Sequence, residues 1–454
     1  MKHTSLNAEN TVFVVLSFEG PDLYSSAGGL GVRVTNLTST LAKSGFPTHL
    51  FFIGAPGKAG SENIDNTLHL HRWCQWISEY YPRGVYEGEW DKIRDFNRSI
   101  PPFIVENIAL PAEKQGKMLV ILGEEWHTAG VMSLLSDALY FNGLRDNTLM
   151  FWNANNTFGF DNIDWARLKF TSSITTVSRY MKRLMQDMGL NPMVIPNGIP
   201  SPMLDPVNEK VSKELRDVLD ADSIVAKVGR WDPDKRWDAA IETIYNMRAS
   251  GHKVSLLARG GIEPYGAELM HNARSEGLDV EDVFTEGNTM DDYLKAIDRA
   301  ADADIINIRF HCPQHFLRLI YHASDAVLAN SRHEPFGLVG LETMAAGGVA
   351  ITGGTGEDYA TPFYNSIVLE NSDATEIEES LSYLEEHPVE AAKIRANARN
   401  TARYFTWERV VQLLLRKLEF QARLQDLIEP ADICEETFNI PHISEPQLIK
   451  IGGD

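Results

Sequence analysis

The sequence predicts an α/β protein built from two doubly wound, Rossmann-like domains that face each other across a cleft. The chain has 454 residues, too many for one ordinary core and a natural fit to two domains of roughly 200 each. Short apolar runs of strand type alternate with amphipathic stretches, the pattern of parallel sheets covered by helices. That alternation breaks at "PNGIPSPMLDPVNEK" (196–210), where four prolines and a glycine fall together, and then starts again.

The first series opens with "TVFVVLSF" (11–18), followed by the loop "EGPDLYSSAGGLG" and a helix with Val34, Leu37 and Leu41 on one face, ending at Gly45. Strands are then expected at 48–54, 117–123, 148–153 and 172–178, with helical stretches between most of them. The second series places strands at 223–229, 253–260, 303–310, 324–331 and 347–354. A helix, "LVGLETMAAGG", lies between the last two and closes on Gly347 and Gly348. From about 405 a long amphipathic helix is expected to return to the first domain. The expected division is residues 1–200 with the segment 405–454 packed back on them, and residues 201–404 as the second domain. Ligands of such sheets sit at the carboxyl ends of the strands, so the site is expected in the loops that face the cleft.

Hydrophobic residues make up 43% and charged residues 23%, which excludes a mainly disordered chain. There are 42 Lys+Arg against 63 Asp+Glu, a net charge of −21. That field repels nucleic acid and anionic membranes, so a phosphate-bearing ligand must be held by local cations, backbone N–H groups or helix ends. The apolar run Val12–Phe18 is too short to span a bilayer and is flanked by Glu9 and Glu19, so no membrane span and a cytoplasmic location are expected. Cys74, Cys312 and Cys434 show no C-x-x-C spacing, and neither a disulfide framework nor a thiolate zinc site is expected.

Three loops carry candidate chemistry. Gly28, Gly29 and Gly31 lie between the first strand and first helix, where a backbone stripped of side chains can approach a ligand; a plain flexible connection is the alternative. In "KVGRWDPDKRWDAA", Arg230 follows directly on a strand and Lys235 comes five residues later at the opening of the next helix, so both cations can project from one loop and stabilise a departing diphosphate without a metal. A solvated cluster with Asp232, Asp234, Arg236 and Asp238 is the alternative. The D-x-D pairs Asp232/Asp234 and Asp302/Asp304 are discounted as metal ligands, the first for its Pro233 turn and flanking cations, the second because it enters a strand. In "NSRHEPFGLVGLETMAAGG", Glu334 stands in the turn and Glu342 about two helical turns further on, among small and apolar residues where a carboxylate needs hydroxyls or a cation.

The E-x₇-E of "EPFGLVGLE", the Arg-x₄-Lys of "GRWDPDK", the "GGLG" loop, and "EEWHTAG", "TTVSRYM" and "PNGI" in that order resemble retaining GT-B glycosyltransferases, in particular the glycogen and starch synthase branch and related group 1 enzymes. The resemblance implies a nucleotide-diphospho-sugar donor bound mainly by the second domain. Glu342 would hold ribose hydroxyls, Arg230 and Lys235 the diphosphate, and Glu334 the hydroxyls of the transferred sugar, with the backbone of Phe336, Gly337 and Leu338 close by. His127 would lie against the donor sugar, and Gly28 and Gly29 would approach donor phosphate or acceptor. No metal and no further cofactor are implied. The partners are the donor and a carbohydrate acceptor, with an α-glucan among the candidates. Ser26 stands where bacterial glycogen synthases carry a lysine two places before the paired glycines, and "FWNANN" has Ala154 or Asn155 where that branch has histidine. A small glycoside or sugar phosphate as product, an epimerase of the nucleotide sugar, and a non-catalytic glycan-binding scaffold are the other readings.

Residues 73–96 hold Trp73, Trp76, Tyr80, Tyr81, Tyr86, Trp90 and Phe96. Such density suits a packed insertion or a contact between copies of the chain in a homo-oligomer, and alternatively a platform for sugar rings. His311, Cys312, His315 and His322 in "HCPQHFLRLIYH" are possible zinc ligands, an option held to be minor.

Overall fold

The computed structural model of the chain describes residues 4–354, 356–371 and 373–429. Eight strands form the first sheet: β1 (Thr11–Leu16), β2 (Thr48–Ile53), β3 (Ser61–Ile64), β4 (Leu68–Trp73), β5 (Met118–Glu124), β6 (Thr148–Ala154), β7 (Ser173–Thr176) and β8 (Met193–Val194). Their spatial order is β3-β4-β2-β1-β5-β6-β7-β8. Pairing is parallel except between β3 and β4. Seven strands form the second: β9 (Ser223–Val228), β10 (Val254–Arg259), β11 (Val280–Val283), β12 (Ile305–Ile308), β13 (Ala326–Ala329), β14 (Ala350–Thr352) and β15 (Ile367–Val368), in the order β11-β12-β10-β9-β13-β14-β15.

The central strands are apolar along their whole length because both faces are covered. Every residue of β1, β5 and β6 is buried, as parallel sheets between helix layers require. Under one face of the first sheet, Val34, Leu37 and Leu41 of the helix Gly29–Lys43 share a core with Trp407, Val410, Leu414 and Leu418 of the helix Trp407–Leu424. Over the other face, the helices Glu89–Ile104 and Ala129–Phe141 supply Phe96, Ile100, Met132 and Leu135. That second cluster continues through Ile199 and Met203 to Phe336, Leu341 and Met344 beside the second sheet.

The proline-rich stretch 196–210 is therefore packed, not loose. Ile199 bridges to Thr406, a short 3-10 turn spans Ser201–Leu204, and Met203 is buried. In "HCPQHFLRLIYH" a helix, Gln314–Ala323, takes up everything from Gln314 on. His322 Nδ1 lies 2.9 Å from the Ala346 carbonyl oxygen, and among the described residues no three His, Cys, Asp or Glu are grouped to hold a metal. No described helix is long and apolar enough to cross a membrane. Cys434 and the segment 430–454, part of the stretch expected to pack back on the first domain, lie outside the described residues.

Candidate active site

The loop that follows β9 is held by its own neighbours. Asp232 caps the 3-10 turn Pro233–Lys235 by accepting the Asp234 N–H at 2.9 Å, and the next helix, Trp237–Ala249, starts only after Arg236. Lys235 thus sits in the turn and not at the helix opening. The Trp237 indole donates to the Arg230 carbonyl at 2.8 Å, and Glu263 accepts the Trp231 N–H at 3.1 Å. These contacts fix the backbone while the Arg230 side chain stays exposed.

The turn after β13 is gripped by Asp234. Its carbonyl accepts the Arg332 N–H at 2.8 Å, and its carboxylate meets the His333 N–H at 3.2 Å and His333 Nδ1 at 3.0 Å. The two turns therefore move as a unit, and Lys235 Nζ lies 3.1 Å from Glu334 Oε1. Gly337, at φ +83°, redirects the chain into the helix Leu338–Ala346, whose first turn has no side-chain cap. Its free N–H groups open where Phe336, Gly337 and Leu338 line the cleft, a position suited to an anion.

Between the sheets lies a cavity of about 710 Å³. Arg230, Lys235, Glu334, Phe336, Gly337 and Leu338 form one wall, and Gly29 and His127 belong to the other. Glu342 and Gly28 stay off both walls. Glu342 stands half-buried behind the helix N-terminus, 3.4 Å from the fully buried Tyr321 hydroxyl, and burial pushes its carboxyl up to about 7. Gly28 donates its N–H at 2.9 Å to Glu19 Oε2, which also accepts from Ala27 and Gly31 at 3.0 Å each. The anion position at the head of the helix Gly29–Lys43 is filled from within the chain. The Tyr86 hydroxyl donates to the other oxygen, Glu19 Oε1, at 2.5 Å. Replacing Glu19 by Ala is expected to cost about 1 to 3 kcal/mol in chemical denaturation, because the buried Gly31 N–H loses its acceptor and the part-buried Ala27 and Gly28 N–H groups lose theirs. Glu19→Gln, which keeps an oxygen there, should recover part of it.

β5 delivers the rest of this wall. Glu125 adopts φ 68°, ψ 166°, a region nearly restricted to glycine that costs of order 1–3 kcal/mol and collects at functional sites. Its buried carboxyl accepts the Asn155 N–H at 2.6 Å, and burial pushes it up to about 8 despite that bond. The His127 ring is stacked on Phe18 at 4.3 Å and meets the tilted Trp126 ring at 4.1 Å. Its Nε2 lies 3.3 Å from Glu89 Oε2 and its Nδ1 has no partner. Burial pulls it down to about 3, so it is neutral at pH 7.

Under the cation loop, Lys227 of β9 is 3% exposed. Its ammonium donates to Asn330 Oδ1 at 2.5 Å and lies 5.3 Å from the Trp237 ring centroid. Burial, then the charge of Lys235, pull it down to about 7. Lys227 was not singled out from the sequence, although a charge inside an otherwise apolar strand is a signal that could have found it. Glu19 and Glu125 had no comparable signal.

The Glu342 and Lys227 shifts have opposite consequences for stability. Glu342 binds its proton more tightly folded than unfolded, so between about pH 4.5 and 7 its contribution falls as pH rises. Lys227 binds its proton less tightly folded, so between about pH 7 and 10.5 its contribution grows with pH. Denaturation across pH 5 to 7 should show a less negative slope for Glu342→Gln than for the unaltered protein. Across pH 7.5 to 10, Lys227→Met should flatten the rise.

Residues 212–401, somewhat less than half of the chain, match the family model "Glycosyl transferases group 1". A stretch of 115 residues is 27% identical to a D-inositol 3-phosphate glycosyltransferase of Thermomonospora curvata, covering 25% of this chain and 27% of that protein. In fold, the chain is similar to sucrose-phosphate synthase from Thermosynechococcus elongatus, with TM-score 0.63 and 19% identity over 91% of this chain and 99% of that one. It is also similar to the catalytic domain of starch synthase IV from Arabidopsis thaliana, bound to ADP and acarbose, with TM-score 0.65 and 14% identity over 91% and 99%. The fold is GT-B, and the second half carries a group 1 glycosyltransferase domain.

Proposed function

We propose that the protein is a retaining glycosyltransferase that moves a hexose, glucose in the first instance, from a nucleotide-diphospho-sugar to a carbohydrate acceptor. The observation that carries this is the convergence on one wall of Arg230, Lys235 and the uncapped helix N-terminus at Leu338, with Glu334 beside them. Two cations and a helix dipole suit a diphosphate, and a carboxylate at its end suits sugar hydroxyls. The ADP in the starch synthase structure is consistent with a donor of this kind.

In the proposed reaction the bond from the anomeric carbon to the diphosphate oxygen breaks, and the acceptor oxygen bonds to that carbon on the same face. The acceptor's proton passes to the departing diphosphate, so no separate base is needed. Arg230, Lys235 and the helix N–H groups stabilise the negative charge that builds on the leaving group. Glu334 orients the sugar while its other partner, Lys235, faces the phosphate. The two turns tied by Asp234 keep that spacing fixed. Glu342, standing behind the helix N-terminus, is proposed for the ribose hydroxyls, which reach it only if the nucleoside extends past Leu338. Catalysis requires no metal ion.

Thermal stabilisation by ADP, UDP and GDP and by their glucose and mannose conjugates tests the donor site. One nucleotide family should raise the unfolding temperature, and Arg230→Ala and Lys235→Ala should each reduce the shift. No shift from any nucleotide would favour a glycan-binding scaffold instead. Donor converted without acceptor would favour an epimerase.

A further inference from the structure

The two walls of the cleft differ in where their cations lie: Arg230 and Lys235 stand among Asp232, Asp234 and Glu334 on the second-sheet wall. Lys235 and Arg230, from the second sheet's side, face a first-sheet wall that carries Glu19, Glu89 and Glu125 and no lysine or arginine among its described lining residues. His127, the only other basic group there, is held neutral by burial. Arg33, behind the lining residue Asn197, is engaged by Glu124 at 3.1 Å and by Asn197 Oδ1 at 2.7 Å. The same wall is aromatic: Phe158 is 72% exposed, and its ring lies 6.5 Å from that of Trp126. Trp126 Nε1 and His127 Nδ1 are buried polar atoms without partners, on residues that line the cavity.

We infer that the acceptor is an uncharged sugar or oligosaccharide, bound on the first-sheet wall through Trp126, Phe158, Glu89 and Glu125, and that phosphorylated sugars are excluded there. The inference rests on the glycosyltransferase reading of the cleft and narrows its second substrate. A phosphate group needs cations or free backbone N–H groups. Here the N–H groups at the head of the helix Gly29–Lys43 are already taken by Glu19, and the Glu19 and Glu89 carboxylates beside them repel a second anion. Hydroxyl groups need the reverse. A carboxylate accepts from them, and a protonated Glu125 both donates and accepts. The exposed Phe158 ring, with the buried Trp126 ring packed beside it, can cover the apolar C–H face of a sugar ring, which a charged substituent would keep hydrated.

The two classes separate in a competition assay. With the donor found by the nucleotide panel, glucose and maltotriose are compared with glucose 6-phosphate and fructose 6-phosphate at pH 7.5 by release of nucleoside diphosphate. A neutral acceptor is expected to give at least about a tenfold higher kcat/KM than either phosphate ester, a ratio worth about 1.4 kcal/mol. Glu89→Lys should narrow that ratio by improving the phosphate esters, and Phe158→Ala should raise KM for maltotriose more than it lowers kcat. Equal or better use of a sugar phosphate overturns the inference. So does a Glu89→Lys enzyme with an unmoved ratio, or a donor that is hydrolysed while neither neutral acceptor is taken. Absence of nucleotide stabilisation and of donor turnover is a different result, and overturns the glycosyltransferase reading with it.

Discussion

Replacing Lys235 by alanine is expected to lower kcat for glycosyl transfer by about 10² to 10³, equivalent to roughly 2.7 to 4 kcal/mol of transition-state stabilisation, with Arg230→Ala in the same range. The size follows from position. Lys235 sits in a turn fixed by Asp232 and Asp234, 3.1 Å from Glu334 and on the same wall as the uncapped N-terminus of Leu338–Ala346. A charge held there needs no reorganisation when the diphosphate departs. Ground-state binding should weaken less, because Arg230 and the helix N–H groups remain, so kcat should fall more than KM rises. Stability should barely change, since the Lys235–Glu334 pair is partly solvated and such pairs contribute little, about 0 to 1 kcal/mol. Single-turnover rates on the two variants, with unfolding curves as controls, check both statements. A loss below about fivefold in either variant would remove that cation from the proposed leaving-group site. The double variant should lose less than the product of the two single losses, because both act on one developing charge.

What could be read from the chain follows from how locally each feature is encoded. β1, β5, β9 and β13 were legible because a strand buried on both faces must be a continuous apolar run. β4 was not. In "LHLHRW" only Leu68, Leu70 and Arg72 turn inward, and the inward charge of Arg72 beside the outward Trp73 breaks the alternation after four residues. β3 and β11, "SENI" and "VEDV", are edge strands with exposed positions and carry no apolar run at all. The cation loop and the Glu334 turn could be found because charged residues directly follow strands. The Glu19 contact could not, since it depends on the chain folding back eight to twelve residues later. Aromatic density over 73–96 likewise did not say which rings face in: Phe96 is fully buried, Trp76 and Tyr80 are exposed, and Tyr86 reaches the cleft.

The largest expected loss of stability comes from a pair that no local pattern suggests. Arg33 and Glu124 are 4% and 2% exposed and 91 residues apart in sequence, and they meet at 3.1 Å between the helix Gly29–Lys43 and the end of β5. Glu124 Oε2 also accepts from Asn153 and Asn155 at 2.9 and 2.8 Å, and Arg33 donates to Asn197 at 2.7 Å. Removing one partner leaves a buried charge with nothing to balance it. Arg33→Met is therefore expected to cost about 3 to 5 kcal/mol, read from denaturant unfolding of the first-sheet domain. Glu124→Leu should cost as much, because it also leaves two asparagine amides without their acceptor. Replacing both at once should cost less than either alone, since the desolvation penalty of the pair disappears with it. A double variant as unstable as the sum of the singles would mean that packing around the side chains, and not the uncompensated charge, sets the loss. Asn155 and Asn197 line the cleft, so this pair also holds in register the wall proposed for the acceptor. A stable double variant should accordingly show a raised acceptor KM with nucleotide binding retained, which separates its structural role from the chemistry proposed for Arg230 and Lys235.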